Sequence, residues 1–273
     1  MHGLVLPDAC LRAEACRLYG ADPKGYEAGR PDYPERVYEL LTTRCGLGPS
    51  STVMEIGPGT GRVTRRLTAL GAHVVAVEPD HAMAAHLRAS TDPSSVGVVE
   101  ESFENASIAE DQFDLAVAAM SFHWVDQNVG LPKLGRVIRP GGWVALWWTL
   151  FGDPARPDPF LEATRDLIEP RGSVAGSDDR VPFEVDAEGW ADALSGRAGL
   201  VDIESERIPW TARLDAERLR ALYGTMITIR RRSPSEQRQL LDRLVSIAWS
   251  DFGGLVERPF VTAINMGRRA SSN

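Results

Sequence analysis

Residues 53–67, VMEIGPGTGRVTRRL, place Gly57, Gly59 and Gly61 behind an apolar run and ahead of a helix-like one. A backbone that bare lets a ligand approach closely and admits positive φ. The spacing is G-x-G-x-G, and Arg62 stands where the dinucleotide fingerprint would have its last glycine. Glu55 precedes the first glycine by two residues; it would repel a diphosphate and attract an ammonium group. Glu78 closes the next apolar run, and an acid at such a strand end can accept from both ribose hydroxyls. His123 and Trp124 follow the run FDLAVAAMSF. An imidazole there titrates near neutral pH without a large shift, so His123 is a candidate to orient an acceptor or take its proton, with Asp126 nearby. Buried aromatic packing is the competing account of His123 and Trp124, and a core position that of Trp143, Trp147 and Trp148. The chain carries no Ser-His-Asp order and no metal-spaced histidine cluster.

Such residues need strands that end side by side. TVMEIG, HVVAVEPD, VGVVEES, FDLAVAAMSFHWV and WVALWW read as five strands. PERVYELLTTRCGLG, GRVTRRLTALG, HAMAAHLRAS and LPKLGRVIRPGG read as the helices around them. That alternation predicts an α/β fold, a doubly wound, mostly parallel sheet with helices on both faces. Residues 1–32 read as loop-rich, with a brief apolar periodicity at Leu11, Ala15 and Leu18. Residues 149–189, rich in Pro, Gly and Asp, read as an irregular, partly helical insertion. After them come a helix in DAEGWADALSGRAGL, a strand in VDIESERIPW, two helices and a final strand in PFVTAINMGRR. The second of those helices opens on Ser233-Pro234-Ser235-Glu236, a capping box with proline at the first position.

Composition bounds the partners. The 273 residues, 43% apolar and 25% charged, suit one soluble globular domain over 1–273, with 149–189 and 215–252 as lid insertions covering a substrate. A net charge of −8 disfavours binding to a phosphate backbone, so no nucleic-acid partner is expected. No apolar run approaches the roughly 20 residues of a membrane span. The segment MHGLVLPDACLRAEACRLYG lacks the charged start and apolar core of a signal peptide. Cys10, Cys16 and Cys45 form no C-x-x-C pair and read as free thiols of a reducing, cytoplasmic compartment. A monomer or homodimer acting on a small molecule is expected.

A site for an ammonium and a ribose, with no phosphate, describes S-adenosylmethionine. VMEIGPGTG, VVAVEPDHAM, FDLAVAAMSFHWVD and RVIRPGGWVALW resemble, in order and spacing, the motifs of the class I S-adenosylmethionine-dependent methyltransferases. Tyr26-Glu27-Ala28-Gly29-Arg30-Pro31-Asp32-Tyr33-Pro34 resembles the entry segment of its small-molecule branch, the trans-aconitate/UbiE-type methyltransferases. The resemblance covers residues 26–148 closely and the closing strands in order alone. It implies a seven-stranded sheet with an antiparallel last strand. It places Glu55, Gly57, Gly59 and Gly61 around the methionine part, together with Tyr26 and Arg30, and Glu78 on the ribose. Pro79, Met83, Ser102 and Phe103 fall near the adenine, with Ser102 where the family favours Asp. Ala118 and Ala119 fall beside the ligand, and Trp124 and Trp148 toward the substrate. The implied activity is O-, N- or C-methylation of a small molecule. Two alternatives stay open: transfer or cyclisation of the cofactor's aminocarboxypropyl arm, and a protein that binds the cofactor without turnover.

Overall fold

The computed structural model describes residues 9–168 and 181–271. The first half runs α1 (Ala9–Gly20), α2 (Pro23–Gly29), α3 (Glu35–Thr43), β1 (Thr52–Ile56), α4 (Arg62–Ala69), β2 (His73–Val77), α5 (His81–Ser90), β3 (Val96–Val99) and β4 (Phe113–Ala119). It continues through α6 (Gln127–Val137), β5 (Ile138–Leu150), α7 (Pro159–Ile168), α8 (Ala187–Gly196) and β6 (Leu200–Asp215). The chain closes with α9 (Ala216–Gly224), α10 (Ile227–Arg230), α11 (Pro234–Phe252) and β7 (Leu255–Arg269).

The seven strands form one sheet in the order β3-β2-β1-β4-β5-β7-β6. β1 to β5 pair in parallel, and β7 is antiparallel to both β5 and β6. The chain winds outward from β1 to β3, then returns to the other side of β1 as β4. Between β1 and β4 the winding reverses, and a crevice opens at their C-terminal ends.

Both faces of the sheet are covered, and the period of two decides which side chain goes where. Met54, Ala116, Ala118, Val144, Leu146 and Trp148 point into one core with Phe122 and Trp190. Val53, Leu115, Val117, Ala145 and Trp147 point into the other, against Val37 and Leu41 of α3 and Val63 and Leu67 of α4. The strands are therefore apolar on both sides, as a doubly covered sheet requires.

β6 and β7 pair from Leu200↔Arg269 to Asp215↔Leu255, whereas β5 reaches β7 only as far as Leu150↔Val261. The overhanging ribbon carries a third core built from Phe160, Leu219, Leu222, Tyr223, Leu244, Val256 and Phe260. Its polar centre is Arg258, fully buried, paired with Asp158 at 2.6 Å and donating to the Tyr223 hydroxyl at 2.8 Å and the Phe151 carbonyl at 2.9 Å.

Three expectations need correction. The first 32 residues are not loop-rich: α1 and α2 occupy most of the described part, and Asp22 caps α2 by accepting from the Gly25 N–H. α2 is held from both sides, with Glu27 bonded to His86 at 2.9 Å and to Arg65, and Gly29 against α9. A Cβ on Gly29 would lie 2.4 Å from the Ala221 carbonyl oxygen, so this glycine serves a close helix crossing. Second, three helices, not two, separate β6 from β7. Third, the Pro-Gly-Gly segment belongs to β5, which begins at Ile138. The capping box at Ser233 and Glu236 is present. Part of the predicted insertion, residues 169–180, lies outside the described residues, as do the side chains of Cys10 and Cys16.

Candidate functional site

A cavity of about 320 Å³ opens at the C-terminal ends of β1 and β4, within the range of small-ligand sites. β1 delivers Glu55, β2 delivers Glu78, β4 delivers Ala119, and the turn after β4 delivers His123 and Trp124.

Gly57 and Gly59 hold φ of +65° and +56° in the turn between β1 and α4. A Cβ on Gly57 would lie 2.6 Å from Ser121 Cβ, so the turn presses on the loop after β4. On Gly59 a Cβ would meet no protein atom, and Gly59 lines the cavity. Its bareness suits the left-handed backbone and leaves the cavity open at that point. Gly61 does not line the cavity; it caps α4 at φ +84°, and a Cβ there would strike Leu87. Its bareness is explained by the left-handed backbone and the packing of Leu87.

Glu55 is 1% exposed and accepts a hydrogen bond from the Thr64 hydroxyl at 2.6 Å. Burial pushes its carboxyl up to about 7, and the charge of Glu78 adds to the shift. Glu78 accepts from the Gly59 N–H at 2.9 Å and the Asp80 N–H at 3.0 Å, one on each oxygen. Burial raises it too to about 7, against those two hydrogen bonds. Each oxygen keeps one lone pair for a further donor. The glycine loop and the ribose acid of the sequence reading are thus one bonded unit.

Pro79, Met83, Ser102, Phe103 and Ala119 line the same cavity. Ala118 does not: it points into the sheet core and is fully buried. Trp148 is also fully buried and off the cavity, stacked on Trp190 with ring centroids 4.3 Å apart. Its indole N–H donates to His123 Nδ1 at 2.9 Å. An indole nitrogen only donates, so neutral His123 carries its hydrogen on Nε2. Burial drives the imidazole down to about 3. The expected proton acceptor is therefore a hydrogen-bond donor at neutral pH, because protonating Nδ1 would set two N–H groups against each other.

Tyr26 and Arg30 face the cavity from the end of α2. The Arg30 guanidinium lies between the rings of Tyr26 and Phe151, at 5.2 and 4.9 Å from their centroids, and donates to the Thr225 carbonyl at 3.5 Å. Its Nε is buried without a hydrogen-bond partner. An aromatic wall joins it to His123: Tyr26 meets Tyr19, Tyr19 meets Trp124, and Trp124 meets the imidazole. Tyr19, Met120, Thr149 and Phe151 were missed by sequence reasoning. Met120 holds φ of +55°, uncommon for a side-chain-bearing residue, and its sulfur accepts the Thr149 N–H. No sequence signal marks such a backbone. Among the described residues no group of three or more acids, histidines or cysteines is placed to hold a metal ion, and no helix is long and apolar enough to cross a membrane.

Three comparisons bear on this site. A family model described as a methyltransferase domain matches residues 54–146, the span from β1 into β5. An uncharacterised methyltransferase of Mycobacterium tuberculosis is 31% identical over 182 residues, covering 59% of this chain and 72% of its own. Among solved structures, a phosphoethanolamine N-methyltransferase of Haemonchus contortus in complex with S-adenosylmethionine is 15% identical with a TM-score of 0.56, covering 92% of this chain and 57% of its own. The cyclase SpnF is 14% identical with a TM-score of 0.58, covering 99% of this chain and 100% of its own. At those identities the two structures show the shared fold alone.

Proposed function

The chain belongs to the class I S-adenosylmethionine-dependent methyltransferases, and from that premise we propose that it methylates a small molecule held beside the cofactor in the cavity between β1 and β4. The cofactor is S-adenosylmethionine. The observation that carries the acceptor class is the lidded shape of the cavity. α2 and Tyr19 of α1 close one side, and Thr149 and Phe151 lead from β5 toward the overhanging third core. A cavity of that size and enclosure suits a small molecule.

The residues fit the cofactor. Glu78 offers its remaining lone pairs to the ribose hydroxyls. Gly57, Gly59 and Glu55 surround the methionine part, with Tyr26 and Arg30 facing its carboxylate. Pro79, Met83, Ser102 and Phe103 flank the adenine, and Ala119 lies beside it. Once bound, the cofactor supplies a methyl group already activated on a sulfonium. The protein's task is then to align a nucleophile and exclude water. Trp124 and His123 orient the acceptor, Trp148 acts beneath them, and the described parts of 149–189, with 215–252, cover the site. The remaining proposals are a single domain over 1–273, a cytoplasmic monomer or homodimer, and no nucleic-acid partner.

The test is release of S-adenosylhomocysteine with a panel of small carboxylates, phenols, enols, alcohols and amines. Release that depends on one class supports the reading. Transfer to protein or nucleic acid with none to the panel would overturn it.

A further inference from the structure

We propose that the acceptor enters this cavity as a preformed oxyanion, held by the Nε2–H of His123, and that Trp148 is the positioning residue that keeps that hydrogen in place. The inference rests on the preceding assignment of a small-molecule acceptor.

Four acids line the cavity: Glu55, Glu78, Asp80 and Glu104. Glu55 accepts from Thr64, and Glu78 from two backbone N–H groups. Asp80 caps α5 by accepting from the Met83 N–H, and Glu104 accepts from the Asp126 N–H at 2.7 Å. All four are engaged in holding loops and helix ends. Burial raises the phenols of Tyr19 and Tyr33, so they remain protonated. His123 is 7% exposed and ringed by Trp124, Trp148 and Phe183. None of those rings ionises, and burial is the sole cause of its low pKa.

The His123 side of the cavity therefore offers a donor. His123 presents Nε2–H. Arg30, at the far end of the aromatic wall, is assigned to the cofactor's carboxylate, so of the two His123 is the donor left for the acceptor. An amine has a single lone pair, which it needs for attack, so it cannot also accept from His123 Nε2–H. An oxyanion keeps lone pairs for both purposes. One lone pair of the acceptor oxygen forms the new O–C bond while the S–C bond breaks, and that electron pair stays on sulfur. The anionic and sulfonium charges cancel, so no proton leaves and no base is needed.

The first test needs no acceptor. Long-range proton–nitrogen correlation on the full protein, with isotope-labelled histidine, reports the tautomer of each ring; His123→Gln identifies the signal of interest. His123 should remain neutral with its hydrogen on Nε2 from about pH 5 to about pH 8. In Trp148→Phe the ring stays buried and neutral but loses its Nδ1 partner, so it should populate both tautomers. An Nδ1–H tautomer in the wild type, or titration there near pH 6.5, overturns the lock. The second test uses the panel. Rates for the accepted class should follow the acceptor's own ionisation, and Trp148→Phe should raise the acceptor KM without shifting that profile. His123→Gln, which retains a donor, should keep more activity than His123→Ala, whose acceptor KM should rise about 10–100-fold. Preference for amines or un-ionised alcohols overturns the oxyanion. Silence across the panel counts against the small-molecule reading, while the tautomer measurement still decides the lock.

Discussion

Glu55 and Glu78 close neighbouring parallel strands, both buried and both raised to about 7. In the unfolded chain the same carboxyls titrate near 4.5. The fold therefore binds their protons more tightly than the unfolded chain does. Their contribution to stability is fully present below about 4.5 and is lost as pH rises through about 7. Cofactor binding runs the other way. Ribose hydroxyls donate to a carboxylate, and an ammonium group pairs with one, so both acids must ionise. Affinity for S-adenosylmethionine should rise between about pH 6 and about pH 8, with proton release that makes the calorimetric enthalpy depend on the buffer. A flat profile would show that neither acid changes state on binding. Glu78→Ala should weaken the cofactor by about 1–3 kcal/mol, the cost of leaving buried hydroxyls unpaired. Glu78→Gln should do less harm, since an amide oxygen still accepts. Equal affinity in both variants would reduce Glu78 to a partner of the Gly59 and Asp80 backbone.

At the level of elements, the site depends on α2 and on the ribbon of β6 and β7. α2 carries Tyr26 to the cavity and is clamped between the Glu27 contacts and α9. Gly29→Val places a branched side chain against the backbone of Ala221, which cannot retreat as a flexible side chain can. A loss of about 1–3 kcal/mol is expected, as for overpacking, with weaker cofactor binding because α2 shifts. Unchanged thermal midpoint and unchanged calorimetric affinity would show that α2 is not held by this crossing. The ribbon is pinned by Arg258, whose three partners come from the residue that follows β5, the turn before α7, and α9. Asp158→Ala strands a buried guanidinium and should cost about 3–5 kcal/mol. Asp158→Asn, which keeps an acceptor, should cost less; chemical denaturation of the two variants gives the comparison.

For the whole molecule, a ligand that binds only the folded chain stabilises it by mass action. S-adenosylmethionine at 100 times its dissociation constant contributes about 2.7 kcal/mol. For a chain of this size the thermal midpoint should rise by roughly 5–10 °C, and NAD at the same concentration should leave it unchanged. Equal shifts with both would deny the glycine loop its selectivity. The sequence by itself determined the strand order in time, the doubly covered sheet and the glycine loop with its two acids. Those are local signals: a period of two marks a buried strand, and glycine marks a turn with positive φ. α1 and α2 were illegible because their anchors lie far along the chain, at Arg230 and Arg231 for α1 and at Arg65, His86 and Ala221 for α2. Tertiary structure alone moved Gly61, Ala118 and Trp148 off the cavity and brought in Tyr19, Met120 and Phe151. It also decided the chemistry of His123. The indole that fixes its tautomer stands 25 residues away on β5 and reaches it only because β4 and β5 pair in register. A sequence shows which side chains are available, while the proton on an imidazole is set by the neighbour that folding brings to it.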